Sequence, residues 1–170
     1  MTISDDDAAR SRTRLSPRLL ANPVHCLALG FGTGLSPRAP GTAGSLVGLG
    51  FAALCAAQPM IVKAVVALVL VVVGIWICGE SARRLGVHDH PGIVWDEIAG
   101  MTITMLAAPP EWGWKWALGG FVAFRVFDIA KPWPIREIDH GMRGGLGIML
   151  DDVLAGILAA LVLLIVRYIT

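Results

Sequence analysis

The chain has 170 residues, of which 55% are hydrophobic and 16% charged, a formal net charge of +1 and a mean hydropathy of +0.68. It is more apolar than ordinary soluble domains, and its near-neutral balance excludes the basic field of a nucleic-acid binder. Three cysteines, Cys26, Cys55 and Cys78, lie in or beside apolar segments and make neither a disulfide framework nor a paired-cysteine metal knuckle.

The first residues, MTISDDDAARSRTR, are polar and carry three acids before the arginines, unlike a cleavable signal peptide. Residues 1–18 read as a disordered tail and 19–170 as a single membrane-embedded domain. Leu19 to Phe31 is moderately apolar, but Asn22, Pro23 and His25 interrupt it, so a short interfacial or re-entrant helix fits better than a span. A turn-rich loop follows, Gly32 to Ser45, with Thr42 as the expected N-cap of an apolar helix over 43–57. Met60 to Cys78 is the clearest span, since 19 residues rise about 28 Å against ~30 Å of hydrocarbon. A polar loop over 79–92 leads to a helix from Trp95 that ends before Pro109. EWGWKW reads as an interfacial aromatic belt, a fourth helix runs from Lys115 to Ala130, and a fifth from Leu150 to Val166. The expected fold is an all-α polytopic bundle of about five membrane helices plus the short interfacial one.

Five crossings from a cytoplasmic amino terminus put 11 of the 14 Lys and Arg residues on the inner side, leaving Lys63, Lys115 and Arg167 outside. That is the positive-inside bias. Twelve of the 13 acids fall on the same side, Glu111 excepted. Separate helix ends therefore bring their charged residues to one face.

The densest charge lies in FRVFDIAKPWPIREIDHGMRGGLGIMLDD, residues 124–152, between apolar segments, where charges need pairing, a metal or the water interface. Asp96 with Glu97 and Asp151 with Asp152 each stand at an expected helix start, where capping alone explains an acid. Asp128 lies near a helix carboxyl end, where the dipole disfavours an anion, and needs Arg125, Lys131 or a metal. Carboxylates from three helices suit a hard divalent ion such as Mg²⁺, which takes oxygen ligands and substrate phosphate together. Arg125, Lys131, Arg136 and Arg143 offer a phosphate clamp, or only an inner-face anchor for anionic lipid. Arg38 and Thr42 sit in a glycine-rich loop before a helix start, a ready anion site that lacks the lysine of a Walker motif. Cys78 and Arg84 have the C-x5-R spacing of cysteine phosphatases without its glycines, so a buried inert thiol is the better reading. His88 and His90 beside Asp89 read as a solvated loop. A small transporter or ion-conducting protein is the alternative, and it would carry its acids at mid-helix depth or on both sides.

Three stretches, GFGTGLSPRAPGTAGSL, IVWDEIAGM and FRVFDIAKPWPIREIDHGMRGGLGIMLDDVLAGI, together resemble the phosphatidylglycerophosphatase A family, in its order, over most of 29–157. The resemblance implies an all-helical, Mg²⁺-dependent lipid phosphatase of the bacterial inner membrane that converts phosphatidylglycerophosphate to phosphatidylglycerol. Carried over by residue, it marks Asp96, Glu97, Asp128, Asp151 and Asp152 as metal-site acids, all but Asp151 also as catalytic groups. It puts Arg38, Thr42, Lys131 and Arg136 in the matching basic and glycine-rich positions, with Arg125 beside them. Asp89 is a weaker carry-over. Water attack and an Asp nucleophile both remain open, as does assembly into an oligomer, and the partners implied are an anionic phospholipid and the membrane.

Overall fold

The computed structural model describes residues 14–133, 135, 142 and 144–169, and among them every regular element is helical. The expected tail over 1–18 lies largely outside the described residues, but Pro17 and Arg18 belong to a 3₁₀ turn, Pro17–Ala21, and are ordered. Helix α1, Pro23–Ala28, starts where the sequence looked interrupted. The Asn22 side chain accepts the Val24 N–H at 3.0 Å, and Pro23 fills the first helical position, where a missing N–H does no harm. A second 3₁₀ segment, Gly30–Leu35, kinks through positive φ at Phe31 and Gly32. The expected interfacial helix is thus one short helix between two tight turns.

Five longer helices follow: α2 Pro40–Leu54, α3 Met60–Leu85, α4 Trp95–Met105, α5 Trp114–Ala130 and α6 Gly144–Ile169. Three of the sequence boundaries need correction. Helix α3 runs on to Leu85, so the first seven residues of the expected 79–92 loop are helical. Thr42 is not the N-cap of α2. Ala39 takes that place in a left-handed conformation and Pro40 begins the helix, which then ends at Leu54 rather than Ala57. Asp151 and Asp152 do not open α6, which begins six residues earlier than expected, at Gly144. The glycines of GGLG, read as loop, are helical because they let α6 touch α3. A Cβ on Gly145 would collide with the Ile75 carbonyl, and one on Gly79 would lie 2.9 Å from the Gly145 nitrogen.

Among the described residues, only α3 and α6, 26 residues each, are long and apolar enough to cross a membrane. The 15, 11 and 17 residues of α2, α4 and α5 rise about 22, 16 and 26 Å. Helix α4 is the buried axle. Trp95, Ile98 and Ala99 pack into one apolar cluster with Ile77 and Met149, while Met101 and Met105 pack into another with Phe124 and Leu163. Small residues set the crossings. Gly44 and Gly48 of α2 lie against Val94 and Ile98, and Gly100 of α4 meets Gly156 of α6 backbone to backbone. Each contact also fixes direction: α2, α4 and α6 run parallel, whereas α3 (Gly74 on Met149) and α5 (Gly120 on Met105) run against them. The amino ends of three helices and the carboxyl ends of two therefore share one end of the bundle. Outward, α3, α5 and α6 expose continuous apolar stripes, including Leu68, Val72 and Trp76 on α3 and Leu161, Leu164 and Ile165 on α6, far more than a soluble monomer leaves in water.

Candidate active site

The charged end of the bundle is built from the α4–α6 contact. Asp96 precedes Gly100 by one helical turn, and Asp152 precedes Gly156 by one turn. The two helices are parallel and touch at those glycines, so both carboxylates emerge on the same side of the crossing. Glu97 joins them, and one oxygen from each of Asp96, Glu97 and Asp152 lies within 4.8 Å of the other two. Asp152 is 3% exposed and Asp96 8%. Each acidic pair ties its first carboxylate to the next backbone: Asp96 Oδ1 accepts the Glu97 N–H at 3.1 Å, and Asp151 Oδ1 accepts the Asp152 N–H at 3.0 Å.

Three mutually close, buried carboxylates repel one another strongly unless protons or a cation intervene. Glu97 Oε2 is buried and, among the described residues, has no hydrogen-bond partner. An orphaned carboxylate oxygen in an all-oxygen cluster fits a hard cation of the Mg²⁺ type, which takes carboxylates and leaves positions for phosphate.

Cations rim the triad. Arg125 pairs with Asp128 one turn on in α5, and Asp128 interacts in turn with the Asp152 carboxyl. Lys131, held in the left-handed region just past α5, donates to Asp151 Oδ2 at 2.6 Å. Of the five acids singled out in the sequence, Asp96, Glu97 and Asp152 thus form one cluster, while Asp128 and Asp151 face it through ion pairs. The amino end of α2 closes another side. A Cβ on Gly41 would collide with Glu97 Oε1 and lie 3.1 Å from Arg125 Nη1, so only glycine lets these groups approach. Thr42 is the third residue of that helix, half-buried, and Arg38 is exposed in the preceding turn, where Ser36 donates to its carbonyl. Arg136 and Arg143 lie outside the described residues.

Sequence reasoning missed one contributor. Gly41 was read as turn-forming, whereas its missing side chain makes room for Glu97; only the juxtaposition reveals that. Asp89, the weaker carry-over, sits on the 86–94 loop within electrostatic reach of Asp96. His25 ties α1 to α3. Its Nδ1 pairs with Ser81 Oγ at 2.9 Å, and burial, seconded by the charge of Arg84, holds the imidazole below its ordinary pKa. Cys78 is fully buried within α3 against Met149, so no thiolate chemistry is open to it, and Arg84 pairs instead with Glu80.

No solved structure matches the chain. The family profile described as phosphatidylglycerophosphatase A matches residues 26–167. A phosphatidylglycerophosphatase A of Escherichia coli is 46% identical over 154 residues, 91% of this chain and 86% of that protein. One of Haemophilus influenzae is 47% identical over 151 residues, 88% of this chain and 91% of that protein. A Bacteroides thetaiotaomicron protein described, provisionally, as a phosphatidylinositol-3-phosphatase is 37% identical over 146 residues, 82% of this chain and 91% of its own length. With matches this extensive, centred on a buried acidic cluster rimmed by cations, the chain belongs to the phosphatidylglycerophosphatase A family.

Proposed function

We propose that this chain hydrolyses the terminal phosphomonoester of phosphatidylglycerophosphate, giving phosphatidylglycerol and phosphate, with Mg²⁺ held by Asp96, Glu97 and Asp152. The observation that carries the proposal is the orphaned Glu97 oxygen in a three-carboxylate cluster, with the Glu97 carboxylate and the Arg125 guanidinium both lying against Gly41. A buried anionic cluster invites a cation, and cations around it invite an anion. When bound there, Mg²⁺ would offset the phosphoryl charge and polarise its oxygens.

The chain's own residues do the rest. Arg125 and Lys131 each hold a carboxylate that a phosphoryl group can replace. Arg38, Thr42 and the free N–H groups at the amino end of α2 take the remaining phosphoryl oxygens. By its place in the sequence, Arg136 adds a further cation from the α5–α6 connection. Asp128, released as Arg125 turns to phosphate, accepts the proton of the in-line water and returns it to the leaving glycerol oxygen, and Asp151 keeps Lys131 oriented between turnovers.

In this reading residues 19–170 form one membrane-embedded unit of the bacterial inner membrane. The charged end faces the cytoplasm, α2 to α6 all lie within the bilayer, and neighbouring copies are free to associate. The exposed apolar stripes and the positive-inside count support it. The test is phosphate release by purified protein from phosphatidylglycerophosphate in vesicles, with EDTA and with Mg²⁺ restored, and with phosphatidylinositol 3-phosphate as the competing substrate. The proposal expects release only with the divalent ion and preference for phosphatidylglycerophosphate. Undiminished release in EDTA overturns the Mg²⁺ assignment, and preference for the inositol lipid overturns the substrate.

A further inference from the structure

The helices do not close on the site equally from all sides. Helix α6 seals against α3 at Gly79 and Gly145 and against α4 at Gly100 and Gly156, in each case backbone on backbone. Helix α2 seals against α4 in the same way, with Gly48 over the Ile98 carbonyl. By contrast α2 and α5 meet sparsely. Their site-proximal contact is Gly41 beside the end of the Arg125 side chain, not backbone on backbone.

Below that point both helices turn apolar residues outward. On α2 these are Leu46 and Leu54, and a Cβ on Gly50 would meet nothing within 4 Å. On α5 they are Leu118 and Val122, both more than half exposed, while Ile129, also outward, lies on the charged side of Arg125. At 100° per residue Leu118, Val122 and Ile129 fall within one arc beside Arg125, on the side turned from the buried Gly120 and Phe124. Leu46 likewise follows Thr42 by one turn. The two faces flank the sparse contact between α2 and α5, at whose charged end stand Arg125, Thr42 and Glu97. From Arg125 to Trp114 at the start of α5 is 11 residues, about 16 Å, close to half of a ~30 Å hydrocarbon core.

We propose that the two faces form a groove between α2 and α5 that is the acyl-chain site for the lipid substrate, so that the phosphomonoester slides to Arg125 from within the bilayer. The inference rests on the lipid-phosphatase reading and deepens it by naming where the chain lies. Two features commit the groove to a diacyl anionic lipid. It is continuous with the site, and its head carries a cation already matched to an anion. The exposed faces of α3 lead instead to the Glu80, Arg83 and Arg84 ion-pair cluster on the surface. They are ordinary lipid-facing surface.

The test uses phosphatidylglycerophosphate with a diazirine at mid-chain, in phosphatidylcholine vesicles holding the full-length protein. Phosphatidylcholine with the same diazirine serves as the reference. Adducts mapped by peptide mass spectrometry should be enriched about fivefold or more, anionic over zwitterionic, at Leu46 and Val122, and show no enrichment on the outer faces of α3 and α6. Equal enrichment on all exposed faces overturns the groove, whatever the activity. Groove enrichment without any phosphate release sustains the groove and overturns the phosphatase reading. As a second measurement, Leu46→Trp with Val122→Trp should raise KM for the diacyl substrate about tenfold and leave hydrolysis of its deacylated, water-soluble headgroup within about twofold. Val69→Trp and Leu164→Trp, on outer faces of α3 and α6, should change neither. A groove variant that matches those outer-face variants on both substrates also overturns the proposal.

Discussion

Gly100→Ala is the sharpest test of how the fold makes the site. The added methyl would stand 2.6 Å from the Asp152 carbonyl oxygen and 2.6 Å from Phe124 Cε2. The Phe124 ring can swing, but the α6 backbone cannot. Restoring ordinary contact of about 3.4 Å or more requires α4 and α6 to part by roughly 0.8 Å. Overpacking of this kind costs about 1–3 kcal/mol, and the higher helix propensity of alanine offsets about 1 kcal/mol of it. The variant should therefore fold, with a net loss of up to about 2 kcal/mol. The site should suffer far more. Asp152 is itself the residue contacted on α6, and Asp96 sits one turn from Gly100 on α4, so the separation opens the carboxylate cluster by nearly the same distance. A displacement near 1 Å lowers rates by about a hundredfold. The assay is kcat/KM for lipid phosphate release across a Mg²⁺ titration, paired with thermal unfolding in detergent. A variant that unfolds near the wild-type temperature, with activity within threefold of wild type, would refute the idea that the glycine contact sets the ligand spacing. Gly50→Ala, which meets open space, is the matched control and should leave activity unchanged.

Asp152→Asn removes one of three crowded charges, so without divalent ions it should unfold at a higher temperature than wild type, while losing the stabilisation that the proposed Mg²⁺ site should give the native protein. Unfolding scans with EDTA and with Mg²⁺ decide it. Gly41→Ala should push Glu97 and Arg125 out of place and lower kcat about a hundredfold with little change in stability, read by steady-state kinetics and thermal unfolding. Lys63 is buried beside Cys55 and Leu106, where α2 and α4 end, so Lys63→Glu should destabilise the fold by about 1–3 kcal/mol, against kcat unchanged in the folded fraction. Alkylation of the native protein should spare Cys78, and Cys78→Ala should keep metal-dependent activity; loss of activity on alkylating Cys78 would revive a thiolate mechanism.

Hydropathy located the long helices because a run such as Met60 to Cys78 has one physical explanation. It failed at the ends, where geometry outweighs polarity. Asn22-Pro23 looked like a break and is a helix start, since an asparagine cap and a first-turn proline are polar and irregular in sequence yet favourable in that place. GGLG at 144–147 looked like a loop and is the first turn of α6, because the neighbouring backbone of α3 makes glycine the residue that fits. The grouping of acids on one face was legible from crossing parity alone. Which of them share a cluster was not. Adjacent acids on a helix point about 100° apart, so the sequence cannot say whether Asp151 or Asp152 turns inward.

The structure resolves that ambiguity by a repeated arrangement with a physical rationale. Asp96-Glu97 and Asp151-Asp152 lie on parallel helices, and in each pair the first carboxylate accepts the second residue's N–H. If both pairs turned fully inward, four carboxylates would share one buried space with a single orphaned oxygen to signal a cation. Instead Lys131 neutralises Asp151, and Arg125 neutralises Asp128 beyond it. Three acids are left to one another, a number suited to an ion that also keeps positions for phosphate. In the proposed mechanism the same two cations bind the phosphoryl group. When an anionic substrate draws Arg125 and Lys131 toward itself, Asp128 and Asp151 lose their partners and add negative charge at the rim of the cluster. Affinity for the divalent ion and for the lipid phosphate should therefore rise together, and by linkage each should tighten the other by the same factor. Independent binding of the two, measured with a non-hydrolysable phosphonate lipid, would mean that the ion pairs hold the helices and take no part in exchange.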